Sequence, residues 1–141
     1  TISDPTSLLW GKVIINAAIN PLTAILRLPN GALLERPSAR ELMAIAAREA
    51  ASVAALQGIQ IPYPDPAGAA VAVAHRTARN ISSMLQDILR GAPTEIEAIC
   101  GAIVGAGDAL GAPTPVNRTL WLIVRSLAEP GSGDRNSEIS G

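Results

Sequence analysis

The stretch LLWGKVIINAAINPL, Leu8 to Leu22, sets the reading of the whole chain. It is apolar except for Lys12, Asn16 and Asn20, and Lys12 is the only lysine in the sequence. The polar residues recur every four positions, which is helical spacing. At about 100° per residue, three such side chains cover roughly 80° of a helix surface. The remaining faces carry Val13, Ile14, Ile15, Ala17, Ala18 and Ile19, so burial is expected on most sides. Two readings of the stripe stand at this point. It is the solvent face of a core helix, or it is a row of groups for a small polar ligand. Solvent faces are more often built from Glu, Lys and Arg, which form helices better than Asn does. Amides both donate and accept, and an ammonium can hold an anion or release a proton.

The rest of the sequence agrees with a helical domain. Its 141 residues suit one domain with a single core. Alanine dominates the apolar set, Phe is absent and few segments are β-branched or alternating. That composition predicts an all-α fold whose helices approach closely. The formal charge is −1, arginines do not cluster, and only Trp10, Tyr63 and Trp121 are aromatic. Neither a nucleic-acid footprint nor a base-stacking platform is expected. Cys100 stands alone, which excludes an intramolecular disulfide and a cysteine metal cluster, and the single His75 argues against a metal site. The longest apolar candidate for a membrane span, Val13 to Leu26, is interrupted by Asn16, Asn20, Pro21 and Thr23, so no span is expected. With no signal peptide in view, the simplest compartment is the cytoplasm. The chain opens on Thr1 rather than Met, as a fragment or processed product would.

Punctuation divides the chain into five helical stretches. Asp4-Pro5 predicts an N-cap followed by proline, with a helix to about Ile19. Pro21 predicts a kink or a restart capped by Asn20, carrying Leu22 to Leu26. Leu28-Pro29-Asn30-Gly31 reads as a turn. Ser38 with Glu41 reads as a capping box for a second helix that ends at Gly58. Asp65-Pro66 opens a third, to about Asn80, with Ser82 and Ser83 interrupting before Met84 to Leu89. Thr94 with Glu97 predicts another capping box, for a helix to about Leu110, and Thr114-Pro115 opens the last, to about Ala128. Residues 1–128 are thus read as the domain, and 129–141 as a disordered tail with little to bury.

Several polar residues outside the stripe have plain structural readings. Asn30, in Pro-Asn-Gly, suits a turn position tolerant of positive φ. Asn80, Ser82, Ser83, Gln86 and Asp87 surround Ile81, Met84 and Leu85, as at the end of an amphipathic helix. Glu95 and Glu97 suit a helix N-terminus. His75 reads as a surface or satisfied core histidine, and Cys100 as a small core residue. GAGDALG, residues 105–111, lacks the third glycine of a dinucleotide fingerprint and follows no strand, so its glycines are read as aids to helix packing.

Taken together, WGKVIINAAINPLTAI, LPNGALL, NISSMLQDI and PTEIEAI resemble, in order and spacing, the C-terminal helical domain of ketopantoate reductase (2-dehydropantoate 2-reductase). The resemblance covers about Leu8 to Leu127. It implies a helical domain of the 6-phosphogluconate-dehydrogenase-like type, which closes a cleft against an N-terminal Rossmann domain. It also implies reduction of ketopantoate to pantoate with NADPH, a step toward pantothenate and coenzyme A. By motif, Lys12 matches the catalytic lysine. Asn16, Asn20, Asn30 and Asn80 match residues at the substrate, and Ser83 matches the serine that holds the substrate carboxylate. Glu95 matches the glutamate at the nicotinamide end of the cofactor.

The residue types suit that chemistry. An ammonium can stabilise a developing alkoxide and protonate it. Burial of Lys12 among Ile and Trp neighbours would lower its pKa from the usual value of about 10.4. No strand followed by Gly-x-Gly-x-x-Gly occurs, so the cofactor's phosphates have no cradle here. The expectation is the C-terminal part of a longer enzyme, or an isolated domain without its partner, inactive by itself. A reductase of another 2-oxo acid and a non-catalytic helical dimerisation module are the alternatives, and the apolar helix surface is compatible with a homodimer.

Overall fold

The computed structural model describes residues 4–131. The expected disorder of the tail therefore concerns residues that lie, from 132 onward, outside the described ones. Among the described residues there are six α-helices and no strand. They are α1 (Pro5–Leu26), α2 (Pro37–Leu56), α3 (Pro66–Arg76), α4 (Ser83–Arg90), α5 (Ala102–Leu110) and α6 (Pro115–Ala128). A 3-10 helix (Asn30–Glu35) precedes α2, and a π-helical turn (Glu97–Gly101) leads into α5.

The apolar faces of α1 make it the centre of the domain. Ile14, Ile15, Ala17, Ala18, Ile19, Leu22 and Ala24 are buried, and α2, α3, α4 and α6 all pack on it. On α2, Met43, Ala46, Ala47, Ala50, Val53 and Ala54 form one buried face. Small side chains on both helices let their backbones come close, and burial of this joint surface supplies the main driving force. By length and composition α1 could cross a membrane, with a mean hydropathy of 1.4. However, 56% of its apolar window is buried inside the domain, as in a core helix.

Asp4 caps α1, its Oδ1 accepting from the Thr6 N–H at 3.3 Å. The expected break at Pro21 does not occur: α1 runs on to Leu26, and Asn20 lies inside it rather than capping a restart. Pro21 and its neighbours Ala17, Ala18, Ile19, Leu22 and Thr23 are buried, and this packing outweighs one missing backbone bond. The helix stops at Arg27, which adopts a left-handed conformation (φ 56°) and donates to the Thr23 carbonyl. The turn expected at 28–31 forms, the Ala32 N–H donating to the Pro29 carbonyl at 3.1 Å with Asn30 and Gly31 between them. It needs no positive φ at Asn30, since Arg27 is the only non-glycine with positive φ among the described residues.

Three other boundaries move for identifiable reasons. α2 starts at Pro37, with Arg36 before it and no side-chain cap, so Ser38 and Glu41 form no capping box. Proline's fixed φ and missing N–H suit the first helical position without one. α3 ends at Arg76, short of Asn80, and Ser82 is the true N-cap of α4, its Oγ accepting from the Leu85 N–H. Glu97 does not complete a box with Thr94. Its carboxylate takes the Trp121 Nε1–H at 2.9 Å and the Arg125 Nε–H at 3.1 Å. Thr94 Oγ1 accepts from the Ile96 N–H instead.

The glycines of 105–111 divide by task. A Cβ on Gly107 would lie 2.8 Å from the Ala112 carbonyl oxygen, so close packing requires glycine there. Gly105 faces open space and Gly111 ends α5 at φ +73°. His75 is on the surface. Cys100 is in the core, and burial, with the Glu49 charge as a smaller cause, pushes its thiol up to about 12.

Candidate functional site

Lys12, Asn16 and Asn20 stand on successive turns of α1, Lys12 exposed and both asparagines half-buried. At 1.5 Å per residue the row is about 12 Å long. None of the three side chains makes a hydrogen bond or ion pair with a described residue. The burial expected around Lys12 is not supplied by the described residues, since the first turns of α1 are covered on another face. There Ser7 donates to the Gln60 carbonyl, and Gly11 is seated against Pro62 and Tyr63.

A chain of hydroxyls joins the far end of the row to α4. Thr23 Oγ1 donates to the Asn20 carbonyl at 2.8 Å. With its proton used there, it accepts from the Ser82 hydroxyl at 2.6 Å, and Ser82 Oγ accepts from the Leu85 N–H at 3.1 Å. These bonds fix the start of α4 against α1. Ser83 is the first residue of α4 and is exposed, without a side-chain partner among the described residues. Unsatisfied N–H groups and the positive end of the helix dipole favour a carboxylate at such a position.

Asn30 and Asn80 are brought together through the backbone. The Asn30 N–H donates to the Asn80 carbonyl, and the Gly31 N–H to the Ala78 carbonyl, both at 3.0 Å. A Cβ on Gly31 would lie 2.4 Å from that of Ala78, so glycine serves this close approach. The Asn30 side chain is buried, its Nδ2 donating to Thr77 Oγ1 at 2.9 Å. The Asn80 side chain is exposed and unpaired among the described residues.

Glu95 makes no side-chain bond to this group. It is exposed, and its carbonyl accepts from the N–H groups of Ala98 and Ile99. Its carboxylate has no partner among the described residues. Sequence reasoning did not single out Thr23 or Thr77, which link the row and the 77–83 segment. Thr23 lies between Leu22 and Ala24 and Thr77 between Arg76 and Ala78, neither with a local signature, whereas Ser82, three residues before Leu85, has the spacing of a cap.

Two concave regions of the domain lie elsewhere. An apolar groove of about 440 Å³ runs between Leu22, Ile25, Leu42, Leu120 and Ile123. Another, of about 470 Å³, is bordered by Pro29, Gly31, His75 and Ala78. Lys12, Asn16 and Asn20 line neither. The polar row is a partly open face whose side chains have no bonding partner among the described residues.

Comparison with known proteins identifies the family and the fold. The family described as ketopantoate reductase PanE/ApbA C terminal matches residues 5–128. The chain is 43% identical over 126 residues to a 2-dehydropantoate 2-reductase of Archaeoglobus fulgidus, covering 89% of this chain and 42% of that protein. It thus spans about two fifths of the curated relative's length. Superposed on the ketopantoate reductase of Ralstonia eutropha JMP134, it gives a TM-score of 0.84 at 38% identity, over 89% of this chain and 42% of the other. D-mandelate dehydrogenase, solved with NADH and anilino(oxo)acetate, gives 0.81 at 26% identity, over 87% and 52%.

Proposed function

Since the chain belongs to the ketopantoate reductase C-terminal family, we propose that it is the substrate-binding, proton-donating domain of an NADPH-dependent 2-dehydropantoate 2-reductase. In this reading a longer, cytoplasmic enzyme converts ketopantoate to pantoate, toward pantothenate and coenzyme A, and an N-terminal Rossmann domain closes over the open face. The observation that carries it is the row Lys12, Asn16 and Asn20, whose side chains have no partner among the described residues.

The described residues include no strand and no glycine-rich phosphate loop, so they do not fit the dinucleotide as a whole. Glu95 alone is assigned to its nicotinamide end. When held by the rest of the enzyme, NADPH supplies the hydride. This chain's own residues then handle the acid and the proton. Ser83, at the start of α4, takes the substrate carboxylate, with the helix N-terminus favouring its charge. Asn16 and Asn20 orient the hydroxy-ketone by donating and accepting, and neutral amides do not compete for the proton. As the ketone carbon is reduced, its oxygen gains negative charge. Lys12 Nζ donates to that oxygen and gives up one proton, leaving a neutral amine that is reprotonated from solvent. Closure of a second domain would provide the desolvation that the isolated face lacks.

The test is NADPH oxidation with ketopantoate by the full-length protein and by the 141-residue chain. The full-length protein is expected to turn over and the chain alone to be silent; turnover by the chain alone would overturn the division of labour. The likeness to D-mandelate dehydrogenase supports a second reading, a reductase of another 2-oxo acid. A panel of 2-oxo acids on the full-length protein separates the two.

A further inference from the structure

We infer that Thr23 is a positioning residue, which sets the distance between the α1 row and Ser83 through its bond to Ser82. The inference rests on the proposed reading of Asn20 and Ser83 as substrate contacts. Thr23 is fully buried, and the protons of the bonds around its hydroxyl are all accounted for. Thr23 Oγ1 donates its one proton to the Asn20 carbonyl at 2.8 Å. The Ser82 hydroxyl therefore donates its own to Thr23 Oγ1 at 2.6 Å, and Ser82 Oγ accepts in turn from the Leu85 N–H at 3.1 Å. The three bonds run in one direction, from the first turn of α4 to the backbone of Asn20.

Apolar packing alone does not fix that distance. Met84 and Leu85 are buried and α4 packs on α1, but such contacts are non-directional and tolerate sliding of one helix along the other. A hydrogen bond between two buried hydroxyls tolerates much less, because its strength depends on distance and angle. Among the described residues no other side-chain hydrogen bond joins α1 to α4 or its cap. Asn20 and Thr23 share one turn of α1, and Ser82 and Ser83 are adjacent at the start of α4. Thr23 thus decides where Ser83 stands relative to Asn20. A substrate held by its carboxylate at Ser83 and by its hydroxy-ketone at Asn20 needs that separation both before and during reduction.

The experiment is a double-mutant cycle in the full-length enzyme, with Thr23→Val, which keeps the shape and removes the hydroxyl, Ser83→Ala, and both together. Thr23→Val is expected to raise KM for the 2-oxo acid about tenfold with kcat within about twofold, because ground-state and transition-state binding fall alike. KM for NADPH should stay at the wild-type value, and Thr23→Ser, which keeps the hydroxyl, should behave as wild type. Added to Ser83→Ala, Thr23→Val should change KM by less than about twofold, since the group it positions is already gone. A wild-type KM in Thr23→Val, or effects of the two substitutions that multiply, would overturn the inference. If Thr23→Val does not fold, Ser82→Ala removes the same bond from the α4 side and is judged by the same cycle. Amide exchange at Leu85 in Thr23→Val reads the anchor without turnover. Exchange about tenfold faster is expected, and an unchanged rate sinks the inference, whereas a wild-type enzyme that reduces no 2-oxo acid sinks the functional reading instead.

Discussion

Two places in this domain combine asparagine with an ionisable side chain, and they use them in opposite ways. Where α2 meets α6, the Glu49 carboxylate accepts from the backbone N–H groups of Val116 and Asn117 and from Asn117 Nδ2, all at 2.9 Å. Asn117 Nδ2 also donates to the Ala46 carbonyl at 3.1 Å. Glu49 thereby supplies from another helix the cap that Thr114 does not give to α6. On α1, Lys12, Asn16 and Asn20 have no such partners among the described residues. The atoms left over in the buried cluster, Asn117 Oδ1 and Thr114 Oγ1, have essentially no accessible surface, while Lys12 is exposed. Polar groups engaged with the fold hold it together. Polar groups that a well-packed helix leaves unengaged are available to a ligand.

This contrast breaks most readily at Lys12. In the full-length enzyme, Lys12→Ala should lower turnover by about 10²–10⁴-fold, the range for loss of a general acid. Its melting temperature should stay unchanged, because no bond within the described domain is lost. Steady-state rates and a thermal melt decide it, and a large drop in stability would show that Lys12 belongs to the structure.

Glu49→Ala should do the reverse. It leaves the first N–H groups of α6 and the Asn117 amide without their charged acceptor, at a cost of about 2 kcal/mol in stability. Activity at temperatures where the protein stays folded should change little. Denaturant unfolding measures the first and kcat the second; an unaltered midpoint would remove Glu49 from its capping role.

The smallest effect, at ordinary pH, concerns Cys100 beside that cluster. Its thiol is raised in the folded state, so the neutral form is favoured and contributes stability that is fully present below about pH 9. As pH rises from 9 toward about 12, the unfolded chain loses this proton first, and stability should fall by about 1.4 kcal/mol per unit. Cys100→Ala should flatten that part of the stability curve relative to wild type. An identical alkaline slope in both would exclude the thiol as its source.

Much of the fold was legible in local chemistry. The four-residue spacing of Lys12, Asn16 and Asn20 in an apolar run announced a mostly buried helix, and α1 is the centre of the core. Asp4-Pro5 and Asp65-Pro66 act within one turn of the helix ends they mark, so sequence neighbours sufficed to find them. The members of the polar row were also visible early, since one helix places them.

What lay beyond local chemistry required partners distant in sequence. Pro21 stays inside α1 because the surrounding helices bury both of its flanks. Glu97 leaves its expected box because Trp121 and Arg125 offer its carboxylate better donors from α6. Asn30 buries its side chain because Thr77, 47 positions later, accepts from its amide. Sequence periodicity established the helices and the row of polar groups, because both follow from backbone geometry repeated over a few residues. Only the tertiary structure decided which polar groups are engaged and which remain open, because that depends on which donors and acceptors the packed helices bring within bonding distance.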